Sequence, residues 1–317
     1  MPTYLIIGSF GQDGVLLRSM LEKSKNKVFG VAKPNTNVGN YFDGTSNTFY
    51  SNFWEIDTAL SILRAVKPDV IFHLAAVNGP SGSNALYSSP DLKFMAHCVQ
   101  VEITKNIICY LEDQRKESQL ILAGSSKMYS GYSSPLVVDE ETKTCPTDYY
   151  GELKEKSFHL IQDARRNGLR ASTAIMFNHE SVHRKPGFLF RDMAREIALV
   201  LSKKKTQIEL RNANIVGDWH SANDTVRGLY LMSVQEHARD YVFAKGERQS
   251  IDEIICDYFS KFQSRSSPNV LSKNPKKQDV CLIGNYQLAQ KHLSWVPSTP
   301  VTNDLHDLVL QELASFK

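Results

Sequence analysis

The chain has 317 residues, 42% hydrophobic and 22% charged, and its 37 basic and 34 acidic side chains leave a net charge of +3. That composition excludes a wholly disordered or fibrous chain and leaves one large domain or two moderate ones. So small a basic excess argues against a nucleic-acid partner, and no run reaches the ~20 apolar residues of a membrane span, so membrane insertion is not expected.

The first half alternates short apolar runs with helical patterns. Tyr4–Ile7 reads as a strand ending at Gly8, and Val15–Leu21 carries apolar residues at helical spacing. Lys27–Ala32 is a second strand, Ile56–Val66 a helix stopped by Pro68, and Val70–Ala75 a buried strand. A long helix is expected over Leu92–Leu111, a strand over Gln119–Ala123, a helix over Tyr149–Arg166 and a strand over Ala171–Phe177. This alternation predicts right-handed crossovers and a parallel sheet with helices on both faces.

After Phe177 the pattern changes. Asn178–Gly187 is polar and loop-like, and a helix follows over Phe190–Ser202. Short strands are expected at Gln207–Leu210, Tyr241–Ala244 and Val280–Ile283, with helices at Thr225–Gln235, Ile251–Phe262 and Thr302–Ala314. Ser264–Gln278, rich in Ser, Pro, Asn and Lys, reads as a strand-poor surface loop. This later region, 178–317, is expected to bind substrate and to return some segments to the cofactor-binding part, 1–177, without building another independent sheet. Met1–Gly8 runs into a strand without a basic leader, and Cys98, Cys109, Cys145, Cys256 and Cys281 form no C-x-x-C pair. Those features read as a cytoplasmic chain with reduced thiols, no disulfide framework and no metal site.

Gly8-Ser9-Phe10-Gly11-Gln12-Asp13-Gly14 lies between the first strand and the first helix. Glycines at this spacing permit a tight turn and close backbone approach to a diphosphate at a helix N-terminus. Val31-Ala32-Lys33-Pro34, at the end of the second strand, offers no acid for the ribose of NAD(H). Lys33 as a point charge for a 2′-phosphate favours NADP(H), with NAD(H) not excluded.

The fifth expected strand runs into Gly124-Ser125-Ser126-Lys127, and Tyr150 and Lys154 follow one helical turn apart. They share a face, so an ammonium beside the phenol would lower the tyrosine's pKa. Tyr150 could then exchange a proton with a sugar hydroxyl or carbonyl while hydride moves to or from a nicotinamide, with Ser125 bonded to the same oxygen.

These features resemble the extended short-chain dehydrogenase/reductase superfamily, and more narrowly its GDP-mannose 4,6-dehydratase branch. The cradle matches that branch's G-x-T-G-Q-D-G except at Phe10, and Val70–Ala76 matches the fourth strand and its small-residue exit. Phe177-Asn178-His179-Glu180-Ser181 is similar to the branch's segment after the sixth strand, Gly217–Asp224 to its R-D-W-G-H-A-x-D block, and Leu293-Ser294-Trp295-Val296-Pro297 to its L-G-W-x-P. Asp240–Glu247 resembles its later strand and turn. The resemblance implies a Rossmann-type, doubly wound α/β fold with a smaller mixed α/β C-terminal region. It implies Ser125, Tyr150 and Lys154 as the catalytic group. The cofactor contacts are then Gly8, Phe10, Gly11, Gln12, Asp13, Gly14, Lys33, Asn52, Leu74, Ala75, Ala76, Phe177 and His179, besides Tyr150 and Lys154. Asn178 and Arg184 would meet a sugar nucleotide's diphosphate, with Ser126, Lys127 and Lys276 as further substrate contacts. A homodimer, or a dimer of dimers, is implied through Leu92–Leu111 and Tyr149–Arg166, where Leu153, Phe158 and Ile161 face either a partner or the sheet.

The departures from the branch bear on the reaction. A 4,6-dehydratase of this branch uses a carboxylate two residues after the catalytic hydroxyl to move the C5 proton, and here that residue is Lys127. The arginine before Asp-Trp is Gly217, the glycine after Trp is His220, and the tyrosine after Asp224 is Thr225. The branch's C-terminal arginine near the nucleotide becomes Lys276 or Lys277. Three readings follow. One is an NADP(H)-dependent reductase of a 4-keto-6-deoxy sugar nucleotide. Another is a dehydratase or epimerase in which Asp148 or Glu152 substitutes as the acid. The last is an NADP-binding regulatory partner with reduced catalysis.

Overall fold

The computed structural model describes residues 1–34, 47–78, 87–133, 136–264, 266–273 and 281–316. Lys276 and Lys277 lie outside them. The main sheet is built from β1 (Thr3–Ile7), β2 (Lys27–Ala32), β3 (Thr48–Tyr50), β4 (Val70–His73), β5 (Gln119–Ala123), β7 (Arg170–Met176) and β12 (Tyr241–Phe243). These seven strands are parallel, in the order β12-β7-β5-β4-β1-β2-β3. Each central strand is apolar on both sides, because helices cover both faces. Alternate residues therefore enter different cores. Tyr4, Ile6, Phe72 and Ile121 pack under α1 (Gln12–Lys23) and α7 (Ala222–Ser233). Leu5, Ile7, Ile71, Leu120 and Leu122 pack under α2 (Ile56–Val66), α4 (Ile103–Gln114) and α5 (Tyr149–Arg166).

The expected long helix over Leu92–Leu111 is interrupted. It consists of α3 (Pro90–His97), a π turn over Cys98–Glu102, and then α4. The Gln100 carbonyl in that turn accepts from the Thr104 hydroxyl at 2.7 Å and from Ser157 of α5 at 2.9 Å. These side-chain donors satisfy a carbonyl that the widened turn directs away from the regular ladder.

The later region holds more strand pairing than its sequence suggests. Asn178–Glu180, expected as loop, is β8 and pairs in parallel with β11 (Trp219–Ser221). Val270–Ser272, inside the expected surface loop, is β14 and pairs with β9 (Ile208–Leu210). Two further pairs are β10 (Val216–Gly217) with β13 (Gln249–Ser250), and β15 (Leu282–Gly284) with β6 (Leu136–Val138). β9 and β15 overlap the expected strands, whereas β8 is three polar residues, Asn178-His179-Glu180, and strands of two or three residues are too short to show an alternation. β9, β11 and β14 pack on a core formed by α6 (Leu189–Leu201), α8 (Ile251–Gln263) and α10 (Val301–Ser315), through Ile197, Ile255, Tyr258 and Leu305, whereas β6 and β15 pack with Phe158, Ile175 and Val242. α9 (Gln287–Leu293) leads into Trp295, which is fully buried under the main sheet.

Leu153, Phe158 and Ile161 of α5 are all buried within this chain, so they face its own interior and are not available to a partner. None of the five cysteines forms a disulfide. Among the described residues, no helix is long and apolar enough to cross a membrane, and no group of three His, Cys, Asp or Glu is placed to hold a metal.

Candidate active site

The candidate residues converge at the C-terminal edge of the main sheet. The turn from β1 into α1 is built around glycine. Gly8 has φ +91, and a Cβ there would lie 2.8 Å from the Ala75 nitrogen at the exit of β4. A Cβ on Gly14 would lie 2.3 Å from the Gly8 carbonyl oxygen. The backbone therefore folds on itself more tightly than a side chain allows. No side chain caps α1, so its first N–H groups are left for an anion at the positive end of the helix dipole. The cradle thus fits the diphosphate of a dinucleotide.

Lys33 is exposed at the end of β2, and Asn52 follows β3, where its amide donates to Glu55 at 3.0 Å. Leu74, Ala75 and Ala76 emerge from β4 beside Gly8, with Ala76 exposed. Phe177 is buried after β7.

On the other side, β5 delivers Gly124 and Ser125. Ser125 caps a 3-10 turn over Ser126–Tyr129, accepting from the Lys127 N–H at 3.2 Å. Helix α5 starts under a side-chain N-cap, with Asp148 accepting from the Gly151 N–H at 2.7 Å. A Cβ on Gly151 would lie 2.6 Å from the Lys127 carbonyl oxygen. Glycine here lets the helix end rest against the 3-10 turn, which brings Tyr150 beside Ser125.

Lys154 is buried at 2% exposure, donates to the Ala123 carbonyl at 2.6 Å, and lies 5.6 Å from the centre of the Tyr150 ring. The spacing of the two residues predicts an ammonium that lowers the tyrosine's pKa. The electrostatics run the other way. Burial pushes Tyr150 well above its ordinary value, and the nearby Ser125 hydroxyl opposes this only in part. Burial also brings Lys154 down to about 7. Desolvation disfavours both charged forms at once. The neighbouring His73, fully buried at the end of β4, is held down to about 3 by burial and by Lys154.

A second cluster ties the cradle to the later region. The His179 Nε2 lies 3.1 Å from the Asp13 carboxylate, and Gln12 donates to the His179 carbonyl at 3.1 Å. Burial alone would raise Asp13 and lower His179. Their mutual contact outweighs it, so Asp13 is lowered and His179 raised. Arg184 donates to the His179 carbonyl and pairs with Glu180 at 2.6 Å, its guanidinium lying over the Phe188 ring. Arg184 therefore already carries a buried carboxylate partner. Asn178 is exposed, with its amide beside Gly217.

The departures from the branch pattern are built into the packing. A Cβ at Gly217 would lie 3.0 Å from the Trp219 ring and 3.2 Å from the Asn178 amide nitrogen, which leaves little room for a larger side chain. Two other departures meet each other. His220 and Thr225, both buried, are joined by a 2.8 Å hydrogen bond through the His220 Nε2. Lys127 is exposed beside Ser125. Of the acids that could replace the missing carboxylate, Asp148 is occupied as the α5 cap and Glu152 is exposed on α5.

The profile of the GDP-mannose 4,6 dehydratase family matches residues 5–307. The chain belongs to that family. Among curated relatives it is 27% identical over 341 residues to the GDP-mannose 4,6-dehydratase sdnI of Sordaria araneosa, covering 98% of this chain and 61% of that protein. It is 28% identical over 273 residues to the Drosophila melanogaster GDP-mannose 4,6 dehydratase, covering 79% of this chain and 66% of the fly protein. The chain thus spans less than two thirds of the length of these two family members. Among solved structures, RMD from Pseudomonas aeruginosa complexed with NADPH superposes with a TM-score of 0.78 at 18% identity, covering 98% and 99% of the two chains. The UDP-glucose 4-epimerase of Thermotoga maritima superposes at 0.81 with 16% identity, covering 99% and 100%. These likenesses establish the Rossmann-type α/β fold of the family.

Proposed function

We propose that the protein is an NADP(H)-dependent oxidoreductase that reduces the C4 keto group of a nucleotide-linked 4-keto-6-deoxy sugar, with GDP as the nucleotide the family suggests. The observation that carries this reading is Lys127 beside Ser125. Elimination of water across C5 and C6 needs a base for the C5 proton, and an exposed ammonium is a poor one at neutral pH. Asp148 is committed to its cap, and Glu152 is turned to solvent. Keto reduction needs only a hydride and a proton. A bound nicotinamide supplies the hydride. The high pKa of Tyr150 keeps its phenol protonated, which suits donation to the C4 oxygen, and Ser125 holds that oxygen in place. Lys154, poised near neutrality, can return a proton to Tyr150. The relatives are named as dehydratases, so the proposal is a divergence within the family.

The test is to give the purified protein NADPH and GDP-4-keto-6-deoxymannose and follow absorbance at 340 nm, with GDP-mannose and NADP+ in a parallel vessel. Oxidation of NADPH in the first and an intact substrate in the second are expected. Water loss from GDP-mannose without NADPH oxidation in the first would overturn the reductase in favour of the family's own activity. Tight cofactor binding without turnover of either sugar would favour the regulatory partner.

A further inference from the structure

Three segments that frame the candidate site meet on one buried side chain, Tyr87, just ahead of α3. Its hydroxyl donates to the Val77 carbonyl, ten positions earlier, at 2.6 Å. Val77 continues Leu74-Ala75-Ala76 out of β4, the stretch whose Ala75 nitrogen would lie 2.8 Å from a Cβ on Gly8. One end of the bond is therefore tied to the cradle.

The Tyr87 ring is tied to the other side of the site. It meets Tyr149 edge-on, with centroids 5.4 Å apart and planes at 64°. Tyr149 is the first residue of α5 and immediately precedes Tyr150. The Tyr149 hydroxyl donates to the Lys93 carbonyl of α3 at 3.3 Å, and the Lys93 ammonium lies 5.4 Å from the centre of its ring. Tyr87, Ala96, Val101 and Leu153 form a small apolar cluster of their own, with Val77, Tyr149 and Tyr150 packed against it. Burial, with Asp148 and Tyr149 adding to it, pushes the Tyr87 phenol up to about 12, so it stays protonated as a donor through the neutral range.

We propose that Tyr87 is a positioning residue that fixes the β4 exit against the start of α5, and so holds the cradle and Tyr150 at one separation. This rests on the reading of Tyr150 as the group that protonates the sugar oxygen. A displacement of about 1 Å between reacting groups costs about a hundredfold in rate, so losing this restraint should appear in kcat more than in binding.

Tyr87→Phe tests this, because it keeps the ring and removes only the bond to Val77. Tyr110→Phe is the matched control, since its hydroxyl donates to the Leu63 carbonyl at 3.1 Å in the core under α2 and α4. Both full-length variants would be assayed with NADPH and GDP-4-keto-6-deoxymannose, and with NADP+ and GDP-mannose, with kcat expressed per titrated NADPH site. Tyr87→Phe is expected to lower kcat per site by about tenfold or more and to leave both KM values within about threefold. Tyr110→Phe should keep the wild-type kcat per site. Hydrogen–deuterium exchange of the unliganded proteins gives a second readout, and faster exchange at 74–77 and at the start of α5 is expected in Tyr87→Phe alone. Unchanged kcat per site in Tyr87→Phe, an effect confined to KM, an equal loss in Tyr110→Phe, or unchanged exchange at both segments would each overturn the positioning role while leaving the reductase reading intact. Wild-type turnover of GDP-mannose alone would overturn the reductase reading, and the same comparison on that reaction would still decide the role of Tyr87. Wild-type protein that turns over neither sugar would overturn both.

Discussion

Replacing Lys154 by Met should make the apo protein more stable at neutral pH while removing its activity. The lysine is 2% exposed, and burial lowers it from 10.5 to about 7. A lysine whose folded pKa is depressed binds fewer protons in the folded state than in the unfolded one. Its cost is therefore absent above pH 10.5, grows as pH falls, and is nearly complete at pH 7. Each tenfold loss of proton affinity on folding costs ~1.4 kcal/mol, so the penalty at pH 7 is about 4 kcal/mol. Methionine removes it but orphans the Ala123 carbonyl that Lys154 bonds at 2.6 Å, which costs about 1–3 kcal/mol. The net gain is roughly 2 kcal/mol at pH 7, falling to zero or below by about pH 9.5 as the wild-type penalty disappears. Urea denaturation of both proteins at these two pH values measures this directly. A Lys154→Met variant that is less stable than wild type at neutral pH, or a difference that does not change with pH, would refute the assignment of a desolvated, half-neutral lysine.

Tyr150→Phe should reduce sugar turnover by at least about a hundredfold, the usual scale for a lost general acid, while leaving the affinity for NADPH within a few-fold, as single-turnover and binding measurements would show. Asp304, buried in the first turn of α10, is raised to about 7 by burial, with the nearby Ser221 hydroxyl opposing and the carboxylates of Glu180, Asp307 and Asp224 adding to the rise. An acid raised this way contributes stability that is full below about pH 4 and lost as pH rises through about 7. Asp304→Asn mimics the protonated form, so it should match wild type in urea at about pH 4 and be more stable by up to about 4 kcal/mol at about pH 8. Equal stabilities at the higher pH would show that Asp304 is ionised there without penalty.

Where the chain's own pattern is regular, the sequence and the structure agree to the residue. β2, α2, β5 and α5 have the expected limits, because each is long or apolar enough for period and stop signals to be read. The interrupted helix before β5 is not legible in the same way. The Gln100 carbonyl of its π turn accepts from Ser157, which arrives from α5 more than fifty residues later. β8 and β14 escape the linear pattern for a related reason, since their pairing with β11 and β9 is a tertiary event.

The linear motifs of the site are readable as spacing, and the structure gathers Ser125, Tyr150 and Lys154 into one cluster. Their protonation is not, because it depends on how much water reaches them. The Asp13–His179 contact links positions 166 residues apart, and the His220–Thr225 bond joins two departures whose pairing no single position reveals. The family resemblance implies Arg184 as a diphosphate contact, while in the fold it answers the buried Glu180. A substrate diphosphate would have to share it.

The most direct test of C4 reduction is the fate of the hydride. The protein would be given NADPH deuterated at the transferable C4 position of the nicotinamide, together with GDP-4-keto-6-deoxymannose, and the sugar product analysed by mass spectrometry and proton NMR. One deuterium, located at C4 of a 6-deoxyhexose, is the expected outcome. A product without deuterium, or 4-keto-6-deoxy sugar appearing instead from GDP-mannose, would contradict C4 reduction.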